Sequence, residues 1–206
     1  MKQFYENGKI EVGLDEVGRG CLFGPVCVGA VVWLNEDPEP NLEIRDSKKV
    51  SEKKRTILKD YIVDNSIAYS IQLVDNDYID KHNILNSTMT GMHKCLDDIT
   101  QSLSVDTILV DGNHFEFYSD KDDNYISHVC VVDGDNTYKS IAAASILAKT
   151  YRDEWINKLV DDNPELEKYD LRNNKGYGTK NHLDAIKQYG ITRWHRKSFG
   201  ICKGIK

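Results

Sequence analysis

The sequence predicts an α/β chain, a mixed β-sheet flanked by helices, on three observations. Three early runs carry the two-residue period of strands. Later runs place apolar residues at steps of three and four, the period of one helix face. Strand and helix patterns then alternate with neither an internal repeat nor a linker between them.

Ile10, Val12 and Leu14 alternate with Glu11, Gly13 and Asp15, which reads as a strand with one face on a core. Gly18, Gly20, Gly24 and Pro25 form a turn-rich connection to a second strand over residues 26–34. Pro38 and Pro40 mark residues 35–41 as a loop. Ser51 offers an N-cap, and Ile57, Leu58, Tyr61 and Ile62 supply the helical stripe after it. Ile67, Tyr69, Ile71 and Leu73 alternate as a third strand.

From Ile84 onward, Leu85, Met89, Met92, Leu96, Ile99 and Leu103 fall at steps of 4, 3, 4, 3 and 4, which predicts a helix. Residues 107–110 and 126–132 read as strands, with a polar loop over 119–124. A further helix begins near Tyr138, carried by Ile141, Ala144, Ala148, Tyr151, Trp155 and Leu159. After a loop over 172–178, Thr179 caps a short helix that ends at Gly190.

A length of 206 residues suits one core, so residues 1–206 are expected to form a single domain. The longest apolar stretch, residues 26–34, is about half of what a bilayer crossing needs. The first ten residues carry no apolar block of the secretory kind, so a cytoplasmic protein is expected. Five scattered cysteines with no Cys-x-x-Cys spacing read as reduced, mostly buried small hydrophobes.

The net charge of −6 hides an asymmetry. From residue 172 to 206 there are nine Lys or Arg against one acid, Asp184, so this extension carries +8 and residues 1–171 carry −14. An acidic body with a basic carboxyl end suggests carboxylates for cations and a cationic flank for a polyanion, packed as one unit.

The acids stand where strands are predicted to end: Asp15 and Glu16 after the first, Asp111 after residues 107–110, and Asp133 with Asp135 after residues 126–132. Single acids at such places are commonly turn residues. Together they describe one cluster, costly without cations because carboxylates raise each other's pKa. Adjacent side chains on a regular strand point to opposite faces, so the first strand is expected to end or bulge at Asp15 and Glu16. Two hard cations about 4 Å apart on such carboxylates are the usual apparatus for phosphodiester hydrolysis.

Asp133 and Asp135 in an Asp-x-Asp-x-Thr run resemble the nucleophile motif of haloacid-dehalogenase-type phosphatases, with Asp133 as nucleophile, but only 73 residues follow it. A non-catalytic binding module in which the acids are structural is a third reading. Residues 18–24 miss the dinucleotide fingerprint by one position, and the calcium-loop starts at Asp120 and Asp133 lack the required glycine and glutamate.

Residues 13–20, G-L-D-E-V-G-R-G, with D-S-K-K at 46–49, V-D-G-N at 110–113, A-A-S-I-L-A-K at 143–149, K-G-Y-G-T at 175–179 and H-R-K-S-F at 195–199, resemble bacterial ribonuclease HII over nearly the whole chain. Arg19 and the short stretch before the first strand favour this type over ribonuclease HIII. The resemblance implies a ribonuclease H fold, a mixed five-stranded sheet with helices, and a carboxyl-terminal helical extension. It implies an endonuclease that cuts the RNA strand of RNA–DNA hybrids and cleaves 5′ of single ribonucleotides in duplex DNA, leaving 3′-hydroxyl and 5′-phosphate ends. Roles in DNA replication and ribonucleotide excision repair follow.

By motif position the resemblance assigns two Mn2+ or Mg2+ ions to Asp15, Glu16, Asp111 and Asp135, with Asp133 as the fallback because both were read on one strand face. Gly18, Arg19 and Gly20 would read the ribose 2′-OH, the one group that marks a ribonucleotide. Tyr177 would pack against the neighbouring sugar. Lys48 would contact phosphate, as would Lys49, Arg193, Arg196 and Lys197. Asp153 reads as an ion-pair partner, not a ligand. A monomer is expected, and residues 200–206 show no recognisable sliding-clamp peptide.

Overall fold

The computed structural model describes residues 1–33, 44 and 50–205. Among the described residues six strands form one mixed sheet: β1 (Glu11–Val17), β2 (Val26–Val32), β3 (Ala68–Val74), β4 (Thr107–Asp111), β5 (Tyr118–Ser119) and β6 (Tyr125–Val131). Their spatial order is β3-β2-β1-β4-β6-β5. β1, β2 and β3 pair antiparallel, whereas β1 pairs parallel with β4 and β4 parallel with β6. The five long strands are the ones the periodicity predicts. The sixth, β5, takes Ser119 from the expected loop, because the Tyr118 ring is buried and its hydroxyl donates to Asp97 at 2.9 Å.

Helices cover both faces. Ser51 caps α1 (Glu52–Asn65) as the sequence predicts, its hydroxyl accepting from the Lys54 amide. The helix predicted from Ile84 is the second part of α2 (Asn76–Thr100). Asn83 interrupts α2 with φ 64° and ψ 167°, and its side chain caps the restart by accepting from the Asn86 amide at 3.0 Å. A polar pattern hid the first part, which Asp75 caps through the Tyr78 amide at 2.7 Å. α3 (Gly134–Thr137) precedes α4 (Lys139–Asp162), and α5 (Leu171–Asn174) and α6 (Lys180–Tyr189) follow.

α2 packs Met89, Met92 and Leu96 on Val12, Leu14, Val28 and Val110 at one sheet face. α4 and α1 cover the other, where Val31, Leu58, Ile62, Ala143 and Ile146 meet. α4 is buried over residues 140–148, so apolar residues surround it instead of forming one stripe. Its close seat on β1 depends on Gly13, where a Cβ would overlap the Ser140 and Ile141 backbone. A third cluster, with Leu22, Phe23, Ile156, Tyr169 and Ile186, seats the carboxyl-terminal extension against the far half of α4. The five cysteines are free thiols, and all but Cys130 are buried. Among the described residues no helix is long and apolar enough to cross a membrane.

Candidate active site

Three neighbouring parallel strands, β1, β4 and β6, finish at one edge of the sheet, the place where open α/β sheets collect ligands. Asp15 and Glu16 lie near the end of β1, and Asp111 is the last residue of β4. The expected end or bulge at Asp15 does not occur. β1 stays in register with β2 through Asp15↔Gly29 and Glu16↔Val28. What stops is the opposite seam, since the last β1–β4 pair is Leu14↔Val110. The two carboxylates therefore leave opposite faces: Asp15 accepts from the Ser145 hydroxyl of α4, while Glu16 lines a cleft with Met89 and Met92 of α2.

Burial pushes the Asp15 carboxyl well above the usual carboxylate range, and the neighbouring charges of Glu16 and Asp111 push it further. The Glu16 amide donates to Asp15 Oδ1 at 2.7 Å and opposes that rise. Glu16 is also raised, first by burial and then by Asp111, against the pull of Arg19, whose guanidinium stands 3.0 Å from Oε1. The Gly134 amide, at the start of α3, donates to Asp111 Oδ1 at 2.8 Å.

Neither of the two remaining acids sits on a strand face, because β6 stops at Val131. Asp133 is exposed in the left-handed region at φ 54°, and its carbonyl accepts from Asn136 and Thr137. Asp135 lies in the first turn of α3 and is only 3% exposed. Burial thus separates two residues that strand periodicity could not.

Asp15, Glu16, Asp111 and Asp135 offer only oxygen donors, and Asp15 and Glu16 have pKa values raised by burial and by like charge. That chemistry fits hard divalent cations, which relieve both effects. Among the described residues, however, no three His, Cys, Asp or Glu side chains are preassembled as a metal-binding group.

Beside the acids opens a cleft of about 450 Å³ lined by Glu16, Arg19, Asp111, Met89 and His114. Arg19 and Gly20 are exposed. Gly18 turns the chain at φ 90°, where a Cβ would overlap the Arg152 guanidinium. Arg152 is fully buried and donates to the carbonyls of Phe23 at 3.0 Å, Pro25 at 2.9 Å and Lys175 at 2.7 Å. Arg196, expected as a phosphate contact, is also fully buried. It donates to the carbonyls of Arg19 and Gly24, both at 2.9 Å, because the tight turn needs donors for its inward carbonyls. Burial brings its pKa down to about 10.

The Leu22 amide donates to the Gly176 carbonyl at 2.8 Å, which draws Tyr177 toward the G-R-G turn. Tyr177 is 41% exposed, and its side chain hydrogen-bonds Cys21. Arg193 and Lys197 are exposed, whereas Lys48 and Lys49 lie outside the described residues. Asp153 forms the expected ion pairs, with Lys149 at 2.7 Å and Arg55 at 3.5 Å.

A family model described as ribonuclease HII matches residues 12–202. The chain belongs to the ribonuclease HII family. It is 46% identical over 202 residues to a ribonuclease HII of Christiangramia forsetii, covering 98% of this chain and 96% of that one. A ribonuclease HII of Parabacteroides distasonis is 45% identical and is covered to 94%, against 96% of this chain. The fold is similar to the crystal structure of ribonuclease H2 from Pyrococcus horikoshii OT3, with a TM-score of 0.75 at 23% identity and coverage of 93% and 94%. The mixed α/β arrangement is therefore ribonuclease H-like, and membership of the ribonuclease HII family sets aside the phosphatase reading of Asp133.

The sequence reading of this ribonuclease HII family member missed Arg152, Arg196, Ser145 and the pair His182–His195 at 3.2 Å as parts of the site's frame. An arginine inside the apolar run of α4 was the one available signal. The histidines carried none, since nothing local says that residues 13 positions apart will face each other.

Proposed function

We propose that this chain is a metal-dependent endonuclease that hydrolyses the RNA strand of RNA–DNA hybrids and cuts on the 5′ side of single ribonucleotides in duplex DNA. The observation that supports the reading is that Asp15, Glu16 and Asp111 lie near enough at the open β1–β4 seam for the other two charges to raise the Asp15 pKa, beside the exposed Arg19–Gly20 turn. Asp15, Glu16, Asp111 and Asp135 would hold two divalent ions, Mn2+ or Mg2+. Bound there, such ions supply an activated water and stabilise the departing oxygen.

The chain's own residues supply selection and position. The backbone of Gly18–Arg19–Gly20 approaches the ribose 2′-OH, and Tyr177 meets the neighbouring sugar. Lys48, Lys49, Arg193 and Lys197 hold phosphates without reading sequence. Water adds to phosphorus as the bond to the upstream 3′-oxygen breaks, so the upstream strand ends in a 3′-hydroxyl and the ribonucleotide keeps a 5′-phosphate. The protein acts in the cytoplasm as a monomer, with residues 172–206 packed on a single domain spanning residues 1–206.

The test is a duplex bearing one ribonucleotide, incubated with Mn2+ or Mg2+. A single cut 5′ of that nucleotide is expected. Tight hybrid binding with no cleavage under any divalent ion would instead favour the non-catalytic module.

A further inference from the structure

Behind Tyr177 lies a hydrogen-bonded run of four groups. The Thr192 amide is 2.9 Å from His195 Nδ1, His195 Nε2 is 3.2 Å from His182 Nε2, and His182 Nδ1 is 2.9 Å from the Tyr177 carbonyl. Both rings are fully buried, with Tyr169 and Phe23 packed edge-on against His195 at 5.1 and 5.0 Å. The Thr192 hydroxyl oxygen also stands 2.9 Å from His195 Nδ1, and since it can donate as well as accept, the backbone groups at the two ends set the protons between them. A backbone amide only donates, so His195 Nδ1 is a lone pair and its ring proton is on Nε2. A carbonyl only accepts, so His182 Nδ1 carries the proton and its Nε2 is the acceptor. The middle contact is therefore His195 Nε2–H donating to His182 Nε2. One further proton would set two N–H groups against each other, or an N–H against the Thr192 amide.

We propose that His182 and His195 are positioning residues, a neutral pair locked in complementary tautomers that fixes the Tyr177 peptide and so aims its ring at the substrate sugar. The proposal rests on the reading of Tyr177 as a sugar contact. The second lone pair of the Tyr177 carbonyl accepts from the Thr179 amide at 2.8 Å, and the side chain bonds Cys21. The residue is thus held at both ends while 41% of its surface stays open. Packing alone would need two rings of the right size, the hydrogen bonds need this proton order, and the aiming role is told from a merely structural one by its coupling to Tyr177.

The first test uses the unaltered chain, labelled with 15N, and reads ring tautomers from long-range proton–nitrogen correlations. His182 is expected as the Nδ1–H form and His195 as the Nε2–H form at about pH 7. Either ring charged, or in the opposite tautomer, overturns the proposal. The second test is a double-mutant cycle on cleavage of a singly ribonucleotide-substituted duplex. His182→Phe should raise KM up to about tenfold, the worth of one hydrogen bond, with kcat nearly unchanged. His182→Asn, whose amide can replace the Nδ1 donor, should restore most of the loss. In a Tyr177→Ala background His182→Phe should add nothing. An equal penalty there means the pair only stabilises the fold and overturns the proposal, and if Tyr177→Ala itself leaves KM unchanged, the sugar-contact reading falls and takes the proposal with it. Should His182→Phe not fold, the same cycle is run with His182→Gln, whose longer side chain places its amide at the Nε2 position and leaves the Tyr177 carbonyl without that donor.

Discussion

Two regions of the molecule handle buried charge in opposite ways. At the open end of the β1–β4 seam, burial and mutual repulsion hold Asp15 and Glu16 above their ordinary pKa range. Where the carboxyl-terminal extension meets the G-R-G turn, Arg152 and Arg196 are buried outright, and backbone carbonyls take up their charge. Neither arginine has a carboxylate ion-pair partner among the described residues. The first arrangement is one that a cation would relieve and suits a site; the second is satisfied as folded save for one Arg196 nitrogen, Nη2, and suits a frame.

The comparison breaks most sharply under substitution of the acids. Asp111→Asn should lower turnover by at least about a hundredfold while sparing duplex binding, as measured by cleavage and by equilibrium binding. Asp15→Asn should also abolish cutting in the presence of Mn2+ or Mg2+, yet in the metal-free chain it should raise the melting midpoint, since it removes a repelled, buried charge. A fall in that midpoint would show that Asp15 holds the fold together. Arg152→Met should do the reverse, costing about 3 kcal/mol or more in urea denaturation because three buried carbonyls lose their donor.

Divalent ions sharpen the contrast. Millimolar Mg2+ or Mn2+ should stabilise the unaltered chain by about 1–3 kcal/mol through binding to the folded state, and should fail to do so in Asp15→Asn. Acid should separate the regions next. With folded pKa values raised above the unfolded ones, Asp15 and Glu16 make the metal-free chain more stable as pH falls from neutral through those values. The histidines run the other way: His195 is brought down to about 3, chiefly by burial, and burial also lowers His182 against the Tyr177 carbonyl and Asp170. Their stabilisation is complete above about pH 6.5 and is lost progressively as pH falls, for His195 down toward 3. A His182→Asn, His195→Gln chain should flatten that acid limb in a denaturation series. The smallest effect is expected at the surface, where Lys197→Ala should weaken all duplexes alike and lower the salt slope by about one.

The basic extension shows how far local reading reaches. Its +8 was legible as charge, but its use was not. Arg196 holds the Arg19 and Gly24 carbonyls, Lys175 reaches Asn157 at 2.9 Å, and Arg172 pairs with Asp161 and Glu167. Arg193 and Lys197 remain exposed. The extension is gripped in turn by Asp80, which accepts from the Lys197 and Ser198 amides at 2.7 and 2.9 Å. Asp80 belongs to the first part of α2, the part that no apolar stripe announced.

Alternation and helical stripes, acting over three or four residues, were enough to locate five strands, the caps at Ser51 and Thr179, and acids near strand ends. The motif blocks carried the family. Only the tertiary structure chose which seam opens at Asp15, which of Asp133 and Asp135 is buried, and that Arg196 faces inward. Those outcomes depend on what packs over a side chain, and the partners come from far along the chain: Arg19 lies 177 residues from Arg196, and Gly134 lies 23 from Asp111. Burial of a charge is a property of the assembled fold, so no local pattern could state it in advance.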